Sequence, residues 1–355
     1  MRKIYLMLLI MIMALNAETL WQGKIGKSPI FMQLSCDEKK LKKEPTKCYF
    51  ESYFYESTLQ SITLDGDYNV QSKEFSLSVG TYDKVHEKFT LKYKGVNFKG
   101  TWHKGDRVLT LKLHPYKKAK SLDEVRVKFL KFKRQKVEKL AHKKELVWIK
   151  EQFSNNLFFR LGNGFSKRSR EHVNPLLDEL QKEYASGDLS CFNAWDFGSG
   201  MDSASSPILQ YLSDKLLGFS IFASYYCGGA HPDFFTARYT VDMATGKVYK
   251  LEDILTIAGD AKKIRELAFA EAKMKLEPNE KEEKGYYDPY RLSHWEYLDW
   301  DLTQTGIRFY LDFCSASRCY RGDYYEVSFK RLKPYLSKEF LKKIEVDDVW
   351  VVKLD

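Results

Sequence analysis

Residues 227–233 read Cys-Gly-Gly-Ala-His-Pro-Asp and place a thiol, an imidazole and a carboxylate in one short stretch. Cys227 beside His231 would be a nucleophile if the imidazole held the sulfur as thiolate. Four positions apart in extended chain, the two meet only across a turn. His231 and Asp233 with a third ligand such as His294 would suit a metal, yet no H-x-H, H-E-x-x-H or C-x-x-C spacing occurs. A structural reading employs the same residues otherwise. Gly228 and Gly229 serve a bulge or close backbone crossing where a Cβ would clash, His231 bonds locally, and Pro232, lacking an N–H, ends a ladder. Gly228, Gly229, Ala230 and His231 are therefore taken as a structural motif, with no catalytic residue, metal ligand or cofactor assigned.

Other catalytic templates are missing. No G-x-S-x-G, Walker loop or G-x-G-x-x-G is present. Acid pairs such as Asp347-Asp348 and Glu282-Glu283 sit in charged surface runs. A glycosidase needs two carboxyls across a cleft, and adjacency in sequence does not supply that.

The elements that must position the stretch are two strands. Residues 208–212 and 216–226 form one hairpin, and 234–243 with 248–251 a second, turned at Thr245-Gly246. Upstream, Asn174 as N-cap and Pro175 at the first helical position start a helix. Its Leu176, Leu177, Leu180 and Tyr184 share one face, and Gly187 stops it. Downstream, a helix begins near Asp260 with Ile264, Leu267 and Ala268 on one side. Strands at 297–302 and 307–313 pair across Thr305-Gly306, a last strand covers 324–329, and Ser337 caps a final helix. Helices and antiparallel strands in this order give an α+β domain over 147–355.

Residues 18–116 differ in character. Short alternating strands at 20–25, 29–34, 49–55, 61–64, 75–79, 89–93, 96–102 and 108–113 are separated by turn signals such as Asp65-Gly66, Lys94-Gly95 and Lys104-Gly105. This predicts an antiparallel β-barrel or sandwich. Residues 117–146 form a basic connecting segment, with twelve Lys or Arg against three acids over 117–144. Its core, Val125-Arg-Val-Lys-Phe129, alternates apolar and basic and reads as a strand with one solvated face, or as a docking edge for anionic polymer or membrane.

Arg2-Lys3, an apolar run over 4–15 and the small residues ending at Ala17 form a signal peptide over 1–17. Periplasmic or secreted location follows, and with it oxidation of the six cysteines. Six cysteines allow fifteen connectivities. The sequential set Cys36–Cys48, Cys191–Cys227 and Cys314–Cys319 keeps each pair within one module. A formal charge of +10, or +8 without Arg2 and Lys3, draws an exported chain to anionic envelope polymers or membrane. Nucleic acid is excluded as a partner by compartment.

A strand ending in Gly228-Gly229-Ala230-His231, then Tyr239-Thr-Val-Asp242, Thr245-Gly246-Lys247 and Leu251-Glu-Asp-Ile-Leu255, resembles the RsiV-like C-terminal domain family (domain of unknown function 3298). Thr305-Gly306-Ile-Arg-Phe-Tyr310 and Val327-Ser-Phe-Lys-Arg-Leu-Lys-Pro-Tyr335 are similar to that family's closing hairpin and final helix entry. The resemblance covers residues 219–344. It implies an exported or membrane-anchored envelope protein, and the family includes an anti-sigma factor whose outer domain binds lysozyme and accessory regions of cell-wall deacetylases. The motif recurs there without a reaction attached. The expectation is a non-catalytic envelope protein that binds a cell-wall glycan or a wall-acting protein, a lysozyme-like ligand included. The alternative is a cell-wall polymer hydrolase. A basic chain pairs poorly with a basic lysozyme unless an acidic patch intervenes, and Asp253, Asp260, residues 280–283 and 299–301 supply the acids.

Overall fold

The computed structural model describes residues 19–81, 84–191, 200–201, 205–227, 233–273, 298–311, 313–314, 319–320 and 324–344. The signal peptide, the motif at 228–232, His294 and the acids at 280–283 and 347–348 lie outside the described residues.

The alternating N-terminal run folds as one nine-stranded antiparallel sheet, in the order β4-β3-β2-β1-β9-β8-β7-β6-β5. Its strands are β1 (Thr19–Ile25), β2 (Ser28–Leu34), β3 (Phe50–Tyr55), β4 (Ile62–Thr63) and β5 (Asp65–Asn69), then β6 (Glu74–Thr81), β7 (Lys84–Tyr93), β8 (Phe98–Lys104) and β9 (Arg107–Pro115). β1 pairs with both β2 and β9, and β3 approaches β5, so the sheet curls nearly closed. Period-two alternation turns Trp21, Met32, Phe50, Phe75, Phe89, Phe98 and Leu113 into one buried core. The interior holds an acid as well. Glu87 accepts from Tyr53 Oη at 2.6 Å and Trp102 Nε1 at 2.8 Å, and pairs with Lys104 Nζ at 3.0 Å. Cys36 and Cys48 are disulfide-bonded around α1 (Glu38–Lys43).

The basic segment departs from its expected strand. Residues 122–129 form helix α2 (Leu122–Phe129). Ser121 Oγ accepts from Glu124 N at 3.2 Å, and Glu124 accepts in return from Lys120 N at 2.8 Å, a first-turn cap that local alternation did not reveal. The helix buries Leu122 and Val125 against Phe31, Phe54 and Leu59 of the barrel and Leu189 beyond it. Arg126, 1% exposed, fastens this junction. It donates to Leu59 O at 2.9 Å, Ser61 Oγ at 2.6 Å and Ser186 Oγ at 3.3 Å, pairs with Asp123, and lies over the Phe54 ring.

The rest of the segment is β10 (Phe132–Lys139), the exposed edge of a three-stranded sheet with β11 (Glu145–Glu151) and β12 (Leu157–Leu161). Lysines on such an edge discourage further strand pairing.

Helix α3 (Lys167–Ser190) begins eight residues before the expected start and carries Pro175 in its interior. Ser166 is the actual N-cap, accepting from Ser169 N at 3.0 Å. Asn174 is instead taken by tertiary contacts, bonding both Leu161 N at 2.8 Å and Leu161 O at 3.1 Å. The helix also continues past Gly187. Its Val173, Leu177 and Leu180 pack on a sheet in which β15 (Leu216–Tyr226) pairs with β13 (Gly200–Met201), β14 (Ser206–Leu212) and β16 (Asp233–Asp242).

The expected strand at 248–251 reduces to a single bridge from Val248 to Val241, followed by α4 (Leu251–Ile254). Helix α5 (Ala261–Glu271) starts at Asp260 as read from sequence. It packs with α6 (Phe329–Leu332) and α7 (Lys338–Ile344) on the sheet of β17 (Asp299–Leu302), β18 (Gly306–Tyr310) and β21 (Tyr324–Ser328). Cys314 and Cys319 are register partners in β19 (Phe313–Cys314) and β20 (Cys319–Tyr320), and their side chains lie outside the described residues. An α+β fold with a barrel-like N-terminal sheet results. No helix among the described residues is long and apolar enough to cross a membrane.

Candidate functional site

Cys191, the C-cap of α3, is disulfide-bonded to Cys227 at the end of β15. Of the site residues read from sequence, this pair is brought together here and Cys36–Cys48 in the barrel. The motif Gly228, Gly229, Ala230 and His231 follows directly, outside the described residues, and joins strands in which Tyr225 stands opposite Asp233.

The bond closes one end of a cleft of about 300 Å³. Its walls are Tyr184 and Gly187 from the last turns of α3, Tyr225 from β15 and Phe235 from β16. Tyr184 stacks on Phe235 with ring centroids 6.0 Å apart, and Tyr225 meets the same ring edge-on at 5.9 Å. Tyr184 Oη is 3.1 Å from Tyr239 Oη, which fixes the ring. Burial first, then this partnership, pushes the Tyr184 hydroxyl above the usual phenol range, so it stays protonated. A Cβ built on Gly187 meets nothing within 4 Å. Glycine within a helix costs about 1 kcal/mol relative to alanine. Here it leaves the cleft open.

Glu183 and Asp188 contribute carboxylates to the lining, in opposite states. Glu183 is exposed. Asp188 is buried and held on both oxygens: Oδ1 accepts from Ser205 Oγ at 2.9 Å, and Oδ2 from Ser205 N and Asn156 Nδ2, each at 3.3 Å. Burial raises its carboxyl above the ordinary value despite those bonds.

The family-like segment after β16 is a joint. Asp242 accepts from Ala244 N at 2.9 Å, Thr245 N at 3.0 Å and Tyr249 Oη at 2.9 Å, and pairs with Lys343. Gly246, at φ +71°, lies so close to α3 that a Cβ would sit 2.6 Å from His172 O. Of the acids read as a patch for a basic ligand, those among the described residues are engaged internally. Asp253 pairs with Lys247, Asp260 caps α5, and Asp299 and the buried Asp301 face Arg238. Tyr310 also donates to Asp301 at 2.7 Å. No group of three or more His, Cys, Asp or Glu suited to a metal occurs among the described residues.

Sequence reasoning did not single out Tyr225, Phe235 or the role of Gly187. The available signal was aromatic residues two before Cys227 and at the start of the returning strand, with a glycine three positions after Tyr184.

No family model matches this chain, and no curated protein matches it either. Among solved structures, a member of the family of domain of unknown function 3298 from Bacteroides fragilis aligns with a TM-score of 0.34 and 15% identity. That alignment covers 61% of this chain and 97% of the other. A second protein of the same family, from Pseudomonas aeruginosa, aligns with a TM-score of 0.27 and 12% identity, over 59% and 95%. Both belong to the family that the C-terminal motifs resemble.

Proposed function

We propose that this is an exported, non-catalytic envelope protein with an RsiV-like C-terminal domain, which binds a cell-wall glycan in the cleft beside Cys191 and Cys227. The observation that carries the reading is the convergence of Tyr184, Tyr225 and Phe235 on a space kept open by Gly187. The C–H faces of a pyranose carry partial positive charge and are attracted to the negative face of an aromatic ring. Exposed Glu183 offers an acceptor for sugar hydroxyls at the same opening. The two disulfides and the N-terminal charge-and-apolar pattern support export.

A hydrolase gains little from this site. Both oxygens of Asp188 are committed to Ser205 and Asn156, so it holds the helix end rather than a reacting proton. A lysozyme-like partner rests on the resemblance alone, and the internal engagement of Asp253, Asp260, Asp299 and Asp301 weakens it. The motif at 228–231 is retained as an architectural turn in the chain that joins β15 to β16. The test is calorimetric titration with chitooligosaccharides and soluble peptidoglycan fragments. Wild type should bind, and Phe235→Ala and Gly187→Leu should each lose binding while retaining a cooperative melt. Release of reducing ends from peptidoglycan by wild type would overturn the reading.

A further inference from the structure

Three lysines stand directly opposite one another on the outer face of the barrel. Lys112 of β9 is the register partner of Lys99 of β8, which is in turn the partner of Lys92 of β7. Adjacent strands lie about 4.8 Å apart, and like charges set opposite each other are unfavourable. A sheet surface under selection for stability alone would alternate the signs. Lys92 is relieved by Glu74 at 3.7 Å and by Ser72 O at 3.2 Å. Lys99, Lys112 and the neighbouring Lys24 have no ion-pair partner among the described residues, and all three are exposed.

The sheet is also dented at this place. Gly23 and Gly100 occupy inward positions where neighbouring strands carry large core side chains. A Cβ would lie 2.5 Å from Lys112 O at the first and 1.6 Å from Thr90 O at the second. Both glycines line a groove of about 680 Å³ on the outer surface here. Lys24, Lys99, Lys112 and His114 line it, interspersed with the amide and hydroxyl side chains of Gln22, Asn97 and Thr110.

We infer that this groove is a binding site for a linear polyanionic glycan, separate from the aromatic cleft. The lysines meet the anionic groups, and the amides and the hydroxyl meet sugar hydroxyls. A flat anionic bilayer would touch the rim of a dent and leave its floor unused. Single-stranded nucleic acid binds through aromatic platforms as well as charge, and no Phe, Tyr or Trp side chain lines this groove, His114 being its one ring.

The test is binding of oligogalacturonate to the exported form at several salt concentrations, with Lys99→Gln/Lys112→Gln compared with Lys133→Gln/Lys136→Gln on the exposed β10 edge. The charge change is equal in both pairs. The groove variant should bind about tenfold or more weakly and show a shallower salt dependence, and the β10 variant should bind as wild type does. Since the opposed lysines repel, the groove variant should melt no lower than wild type. Loss of binding only in the β10 variant, or equal loss in both, would overturn the assignment. So would tighter binding of wild type to anionic vesicles or to oligo-dT than to oligogalacturonate. Failure of chitooligosaccharides to bind would count against the aromatic cleft and leave this result unaffected.

Discussion

Cys191 is bonded to Cys227 with Cα atoms 4.8 Å apart, which ties the C-terminal end of α3 to the far end of β15. The same bond forms one edge of the aromatic cleft, so fold stability and cleft shape depend on one crosslink.

The pair spans 36 residues of sequence. Closing a loop of that length in the unfolded chain stabilises the native state by roughly 3–4 kcal/mol in the chain-entropy account. Cys191→Ser/Cys227→Ser should lose stability on that scale in urea denaturation. Glycan binding should fall even at temperatures where the variant remains folded. An unchanged urea midpoint would show that the crosslink constrains nothing.

Gly187 separates helix stability from cleft occupancy. Gly187→Ala adds a methyl group where nothing lies within 4 Å, so the helix should gain about 0.5–1 kcal/mol. Gly187→Leu should keep most of that gain while filling the cleft. Thermal melts set beside titrations check both, and a destabilised alanine variant would contradict the open geometry.

Arg126 joins the barrel to α3 through Leu59, Ser61 and Ser186. Arg126→Met keeps much of the volume but leaves the Leu59 carbonyl and two hydroxyls without their donor. A buried polar group left unmatched costs about 1–3 kcal/mol. We expect a loss of at least that size, measured by denaturation, with early protease cleavage near residues 117–131 as the junction loosens. Wild-type protease resistance would show that the junction does not depend on the guanidinium.

Two aspartates pull stability in opposite directions with pH. Burial alone would raise the Asp242 carboxyl, but Lys343, Tyr249 and Ala244 N outweigh it and hold it below the ordinary range. The unfolded chain therefore binds that proton more readily. The contribution of Asp242 is fully present above the unfolded value, about 3.9, and is lost as pH falls through the depressed folded value. Asp188 is raised by burial, so its cost is absent below the unfolded value and grows as pH rises toward its folded value. The stability gap between wild type and Asp242→Asn should accordingly narrow between pH 6 and pH 3. Chemical denaturation at the two pH values reads it directly, and a constant gap would contradict the ionic role.

Much of the barrel was legible because an alternating strand shows its buried face at every second residue. Trp21, Phe75, Phe89 and Phe98 are core for that reason. β5 was missed, since its Asp65-Gly66-Asp67 run carries turn residues rather than alternating apolar ones. Residues 125–129 misled because apolar residues two apart suit a strand face, while the deciding signal, Ser121 with Glu124, lay just upstream. Asn174-Pro175 misled for another reason: a capping side chain can also be recruited by a strand packed against the helix, and Leu161 recruits this one.

By itself the sequence determined what local physics controls: strand alternation, the helix start at Asp260 and the cap at Ser337. The cysteine pairing was open among fifteen connectivities, and the tertiary structure brings together Cys36–Cys48 and Cys191–Cys227. Neither candidate binding surface is local. Tyr184, Tyr225 and Phe235 share a cleft because α3 crosses the sheet near the end of the β15–β16 pair, and 51 positions separate the first of these rings from the last. Lys92, Lys99 and Lys112 form a row only once the register of β7, β8 and β9 is set. Register is fixed by which faces the barrel core buries, so the row of charge on the outside is decided by the packing within.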